Sequence, residues 1–208
     1  MVDIELFLSN GLNVSRETFN RLELYVNRVI ESQENLNLIG SSTISTIWER
    51  HVLDSAQLIS YLPDQPSRIV DFGSGAGFPG IVIALLTQHS VICIESVQKK
   101  ANFLESICAE LNLSCIVLNE RIEDLDPLKA DVITARAVAP LTQLIELTKG
   151  HLHPEGFFLF PKGEKYAEEL KKTRERWLFD CEEYASITNE KSRILRISKV
   201  TSKRRGKT

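Results

Sequence analysis

No apolar run in this sequence exceeds the six residues from Ile81 to Leu86, far short of the roughly 18 a membrane-spanning helix needs. A membrane protein is therefore not expected. The first five residues carry the acids Asp3 and Glu5 and no Lys or Arg. A secretory signal opens on bases, so the expected location is the cytoplasm. The four cysteines, Cys93, Cys108, Cys115 and Cys181, include no C-x-x-C pair and no metal-ligand spacing, and they read as reduced core thiols. His151 and His153 have no third ligand nearby, so no metal is expected. What is present is ordinary globular composition, with 43% hydrophobic and 25% charged residues in 208, enough for one core with an appendage. The net charge of −3 is unevenly spread: residues 191–208 hold eight bases and no acid, while the rest hold 17 bases and 28 acids. A basic end on an acidic body points to an anionic partner such as nucleic acid, or to a solubilising tail.

Three segments follow from the pattern. In residues 1–62, Ser15 can cap a helix whose apolar positions Phe19, Leu22, Val26, Val29 and Ile30 recur at helical spacing. Ile44, Ile47, Trp48, Val52 and Ala56 repeat that spacing later. This is a helical extension seeking a surface. Two prolines, Pro63 and Pro66, then break the pattern. From 63 to 200, short apolar runs at Arg68–Phe72, Val91–Glu95, Ser114–Leu118, Asp131–Ala135 and Phe157–Phe160 alternate with helical stretches such as Gln98–Leu111. Continuous apolar strands imply burial on both faces, and a doubly wound, mostly parallel α/β sheet satisfies that. Leu178–Ile187 and Arg193–Ser198 are close enough to pair as an antiparallel edge hairpin. Residues 201–208 form a basic tail.

The most informative segment runs from Asp71 to Gly80, D-F-G-S-G-A-G-F-P-G, between the first strand and a helix reaching about Thr87. Glycines there let main-chain N–H groups approach a ligand closely. Gly75, Gly77 and Gly80 formally satisfy the dinucleotide fingerprint, and Glu95 lies about 20 residues on, where a carboxylate accepts from ribose. A nicotinamide oxidoreductase is one reading. The opening acid-x-Gly-x-Gly-x-Gly instead resembles the first motif of class I, Rossmann-like S-adenosylmethionine-dependent methyltransferases. An acid at Asp71 would repel pyrophosphate but can accept from an ammonium. Ile122 and Glu123, after the third strand, sit where enzymes of that class hold adenine.

Beyond the class, Glu49-Arg50-His51-Val52-Leu53-Asp54-Ser55, the loop from Asp71 to Gly80, Arg121-Ile122-Glu123, Thr134-Ala135-Arg136-Ala137 and Pro161-Lys162-Gly163 occur in an order and spacing that resembles the bacterial glucose-inhibited division protein B family. The resemblance spans about Asn37 to Gly163. It implies an S-adenosylmethionine-dependent methyltransferase of N7 of guanine 527 in the 530 loop of 16S ribosomal RNA, and cofactor contacts from Gly73, Phe78, Ile122, Glu123 and Arg136. Asp71, Gly75, Gly77 and Glu95 complete the expected cofactor set.

The chemistry agrees with what is missing. After the fourth strand stands Ala135-Arg136-Ala137-Val138, where amine methyltransferases carry Asp or Asn before Pro-Pro and an aromatic. No cysteine follows a proline, as carbon-5 pyrimidine methylation would want. Guanine N7 has a free lone pair and no proton to lose, so no acid or base residue is assigned and alignment should carry the rate. Arg136, at a strand's carboxyl end, is expected to grip cofactor carboxylate or RNA phosphate. Lys162, Arg196, Lys199, Lys203, Arg204 and Arg205 are further expected RNA contacts. His51 reads as a hydrogen-bonded packing residue, and Trp48 and Trp177 as core anchors. The expected partner is 16S rRNA or the small ribosomal subunit, with the protein acting as a monomer. An RNA-binding assembly factor that keeps the fold without essential methyl transfer is the other alternative.

Overall fold

Strands form where the sequence is continuously apolar, and the computed structural model, which describes residues 5–203, assembles them into one sheet. Among the described residues its strands are β1 (Arg68–Phe72), β2 (Ser90–Ile94), β3 (Cys115–Leu118), β4 (Ala130–Thr134), β5 (Leu152–Lys162), β6 (Trp177–Ala185) and β7 (Arg193–Ser202), ordered β3-β2-β1-β4-β5-β7-β6. The pairs among β1 to β5 are parallel, while β7 runs antiparallel to both β5 and β6. This is the expected doubly wound sheet with its antiparallel edge hairpin. The hairpin is longer than expected: β7 continues to Ser202, past the boundary set at residue 200.

The helices are α1 (Glu5–Ser9), α2 (Arg16–Leu36), α3 (Asp54–Ala56), α4 (Gly80–Leu86), α5 (Gln98–Glu110), α6 (Leu141–Thr148) and α7 (Tyr166–Thr173). Ser15 caps α2, its hydroxyl accepting from the Thr18 N–H at 3.1 Å. Strand parity divides the interior into two layers. Ile69, Val91, Val132 and Leu159 point to the side covered by α2, α4 and α5, and Val70, Ile133, Phe158 and Leu195 to the side covered by α6 and α7. Phe19, Leu22, Tyr25, Val26 and Val29 of α2 enter the same buried cluster as Ile69 and Leu104. The helical extension therefore covers one face of the sheet and shares its core, with Phe19 stacked on Trp48 at 5.3 Å.

Three local expectations change. Ile30 is 40% exposed, on the outer edge of the apolar stripe of α2. β3 is an edge strand, so Ile116 faces solvent although its run reads as buried. Residues 41–61 form no regular α-helix but successive 3₁₀ (Ser41–Thr46), π (Trp48–Leu53), α3 and 3₁₀ (Gln57–Tyr61) turns. Such π turns recur at functional sites, and this one carries Arg50 and His51. Of the cysteines, Cys93 and Cys108 are buried, while Cys115 and Cys181 are only half-buried.

Candidate functional site

The loop after β1 is tied down from below and open above. Gly73 and Ser74 donate their N–H groups to the Ile94 carbonyl at 2.9 and 3.0 Å, and Gly77 donates to Ser74 at 2.7 Å. These turns put Gly73, Gly75 and Gly77 at φ of +68°, +56° and +102°, where a side chain strains the backbone. Behind the loop, the Tyr25 hydroxyl of α2 donates to the Ala76 carbonyl at 2.8 Å. In front, Glu95 accepts from the Gly75 N–H with one oxygen and from the Val97 N–H with the other, both at 2.8 Å. The second strand's carboxylate is thus fixed against the loop by main chain.

Above this floor lies a cavity of about 910 Å³ at the carboxyl ends of the parallel strands. Its wall includes Gly73, Ser74, Gly75, Phe78, Glu95, Arg136 and Lys162. The residues present suit a nucleoside with an amino-acid end. At Gly75 an added Cβ would meet nothing nearer than the Gly73 carbonyl oxygen at 4.0 Å, so a ligand can approach the main chain there. Glu95 supplies an acceptor and Arg136 a cation.

Arg136 is held from several directions. One guanidinium nitrogen donates to the Arg50 carbonyl at 2.9 Å and reaches Asp54 at 3.4 Å, and the other donates to His51 Nδ1 at 2.6 Å. The group also lies 5.3 Å from the centroid of the Phe78 ring. Burial pulls its pKa below the ordinary arginine value while the Asp54 carboxylate opposes that. Because Nδ1 must accept from Arg136, the ring proton of His51 is on Nε2, which donates to the Thr43 hydroxyl at 2.7 Å. Thr43 in turn donates to the Gly40 carbonyl at 2.7 Å. Burial, then the facing guanidinium, pulls the His51 pKa down to about 4 and keeps the ring neutral. His51 therefore packs against Phe78, with ring centroids 5.1 Å apart, and also forms part of the cavity wall.

Other expected residues lie elsewhere. Asp71 is fully buried, and its carboxylate accepts from the Gly80 N–H at 3.1 Å with Oδ1 unpaired. It shares the helix-covered face with Ile69, so it supports the loop from within and does not reach the cavity, contrary to the ammonium contact expected of it. Gly77 also faces inward, where an added Cβ would stand 2.5 Å from Ile81 Cγ1. Ile122 is buried and Glu123 exposed on the turn Ile122–Asp124, and neither is in the cavity wall. Lys162 does line it, but its ammonium pairs with Glu169 at 2.7 Å and bonds the Ala139 carbonyl at 3.2 Å. That cation braces β5 against α7, which argues against the expected phosphate contact.

Arg196 pairs with Glu182 at 2.6 Å and Lys199 with Asp180 at 2.9 Å, both away from the cavity. β7 leaves the cavity rim at Arg193 and runs antiparallel to β5, so Lys203 is at the opposite edge of the sheet, about 30 Å away along the strand. Arg204 and Arg205 lie outside the described residues. Sequence reasoning missed Tyr25, Asp54 and Thr43. Tyr25 falls at helical spacing between Leu22 and Val29, but nothing local indicates where its hydroxyl goes.

A GidB family model, described as rRNA small subunit methyltransferase G, matches residues 18–197. A protein from Cereibacter sphaeroides named ribosomal RNA small subunit methyltransferase G is 46% identical over 191 residues, covering 89% of this chain and 93% of that protein. A protein of the same name from Ruegeria pomeroyi is 39% identical over 198 residues, covering 93% and 97%. Among solved structures, a putative S-adenosyl-L-methionine-dependent methyltransferase from Methanococcus maripaludis superposes with a TM-score of 0.60 at 12% identity, covering 93% of this chain and 98% of that one. The ribosomal protein L11 methylase of Lactobacillus delbrueckii subsp. bulgaricus gives 0.57 at 22% identity, covering 70% and 76%. These two likenesses are in fold.

Proposed function

The chain belongs to the rRNA small subunit methyltransferase G family, and from that premise we propose that it methylates N7 of guanine 527 in 16S rRNA, with S-adenosylmethionine as donor. Small-subunit rRNA methylation with this cofactor is the family's activity; the guanine and its ring nitrogen are the finer part of the reading. The observation that supports it most is the open glycine loop with Glu95 bonded to Gly75, opposite the Arg136 guanidinium. Gly73, Gly75, Phe78, Glu95 and Arg136 would hold the cofactor, which when bound supplies an electrophilic methyl group on a sulfonium. Asp71 and Gly77 would hold the loop's shape from behind.

Guanine N7 attacks through a lone pair and releases no proton, so the residues have only to align and shield the reacting atoms. The neutral His51 fits this role, because its Nδ1 lone pair is engaged by Arg136 and is not free to act as a base. A cation beside the guanine, which takes up the positive charge as the methyl group leaves sulfur, would oppose the reaction. Arg136 therefore serves at the cofactor carboxylate or at an RNA phosphate.

The assay is incubation with methyl-labelled cofactor and protein-free 16S rRNA or small subunits, followed by mapping of the modified base. Label at N7 of guanine 527 is the expected result, and label at another atom overturns the assignment. Cofactor binding without transfer to either substrate would favour the assembly-factor reading. Thermal stabilisation by a nicotinamide cofactor in place of S-adenosylmethionine would favour an oxidoreductase. The same reading has the enzyme act as a monomer in the cytoplasm, where small subunits assemble. None of the described helices is long and apolar enough to cross a membrane.

A further inference from the structure

The sheet edge opposite the cavity carries a concentration of positive charge that the cofactor site does not use. The end of α7 and the turn into β6 present Lys171, Lys172, Arg174 and Arg176, all exposed, and residues 171–180 hold only two acids, Glu175 and Asp180. Lys203 arrives at the same place, its N–H bonded to the Arg176 carbonyl at 2.9 Å. The sequence continues with Arg204, Arg205 and Lys207. Two cations here are neutralised, Arg176 by Glu146 and Lys199 by Asp180. Lys171, Lys172, Arg174 and Lys203 form no ion pair among the described residues.

Three of the described cations, Arg174, Lys199 and Lys203, line a cleft of about 350 Å³ together with Trp177, Leu178 and Phe179, with Asp180 at its side. Apolar surface is mixed with the charge. The Arg174 guanidinium lies 4.6 Å from the centroid of Phe179, Lys149 lies 5.2 Å from that of Trp177, and Leu178 is 55% exposed. The remainder of the protein is acidic: residues 1–170 and 181–190 together hold 13 bases against 26 acids. A local basic surface on an acidic body concentrates polyanion binding at one place.

We propose that this lower edge of β6 and β7, with the end of α7, is a second RNA-contact surface that grips the phosphate backbone of the substrate about 30 Å from the target base. The inference rests on the reading that the chain modifies small-subunit rRNA, an RNA long enough to reach both places at once. The two contacts would work as a linked pair, each raising the effective concentration of RNA at the other. Long RNA would then bind more tightly than a fragment that reaches only the cavity.

The test is a variant with Lys171, Lys172, Arg174 and Lys203 all changed to Gln, four exposed positions outside the cofactor site. Exposed changes of this kind leave the fold essentially as stable as before. Binding is measured against protein-free 16S rRNA over a range of salt, and against a stem-loop that carries the target guanine but is shorter than the 30 Å separation. The expected result is weaker binding of the long RNA, with a logarithmic salt slope shallower by about 2 to 3 as phosphate contacts are lost. Affinity for the stem-loop and for S-adenosylmethionine is expected to be unchanged. An unaltered slope on the long RNA overturns the proposal, as does equal weakening on the stem-loop. Small subunits are titrated in parallel, and weakening confined to them also overturns the proposal, because an acidic protein would then be the partner. These measurements read binding alone, so a wild-type enzyme that fails to label guanine 527 would sink the functional reading and leave the binding result separately interpretable.

Discussion

Replacing Asp71 by Asn separates a ligand contact from an internal support. Burial, opposed first by the Ser74 hydroxyl and then by the Gly80 N–H, raises the Asp71 pKa from the ordinary 3.8 to about 7. The folded protein thus keeps a proton there that the unfolded chain has already lost. Stability contributed in this way is fully present below pH 4 and is lost as pH rises through about 7, with a slope of about −1.4 kcal/mol per pH unit in between. From pH 5 to 8 the wild type should lose about 3 kcal/mol relative to Asp71→Asn. The amide oxygen can still accept from Gly80, while its NH₂ replaces an oxygen that has no partner. Thr134, the register partner of Asp71, also has an unpaired hydroxyl on that face. Urea unfolding of both proteins at half-unit pH steps reads the difference directly. Parallel stability curves would show that the carboxyl is not held protonated by its surroundings. Cofactor titration gives the second half of the test: a wholly buried Asp71 predicts a Kd changed by less than about threefold. A contact with the ligand ammonium predicts a loss of about 1.5–3 kcal/mol, or more than tenfold.

The remaining predictions concern the same loop and its neighbours. Gly77→Ala should unfold the protein or cost more than about 3 kcal/mol, because its Cβ would stand 2.5 Å from Ile81 and 2.9 Å from the Tyr25 hydroxyl. Gly75→Ala should fold, at a cost of about 1–2 kcal/mol for its left-handed backbone, yet bind cofactor poorly, because the new methyl enters the cavity. Equal melting temperatures for these two variants would contradict the inward and outward assignment. Glu95→Ala removes an acceptor from the cavity and releases two N–H groups, so calorimetry should record weaker cofactor binding by about 1.5–3 kcal/mol together with reduced stability. An unchanged Kd would take Glu95 out of the site. For His51 the sign is opposite to that of Asp71. Its folded pKa of about 4 lies below the ordinary 6.5, so its contribution is complete above pH 6.5 and is lost on acidification through about 4. Allowing for solvent screening of a ring that is only partly buried, the wild type should lose about 2 kcal/mol relative to His51→Asn between pH 7 and 4.5. Identical acid profiles would refute the neutral, Nε2-protonated ring.

Much of this molecule is determined locally and is legible in the order of its amino acids. The apolar runs at Arg68–Phe72 and Asp131–Ala135 could only be strands buried on both sides, Ser15 could only begin a helix, and seven residues from Gly73 to Pro79 with three glycines could only be a tight turn against which something packs or binds. Burial requirements, capping geometry and the steric freedom of glycine act within a few residues, so they leave a local record. The location of charge and hydrogen bonds between distant segments leaves none. Arg136 and His51 meet across 85 positions and Tyr25 reaches Ala76 across 51, contacts made only when α2 and the turns after it settle on the sheet. Lys162 reads as a free cation until α7 brings Glu169 to it. Lys199 and Lys203 read as RNA contacts with no stated place until the antiparallel course of β7 carries them to the far edge. Asp71 lies between these cases: its parity with Ile69 marks it as inward-facing, but only the packed α4, which brings the Gly80 N–H to its carboxylate, decides that the group serves the loop and not the ligand.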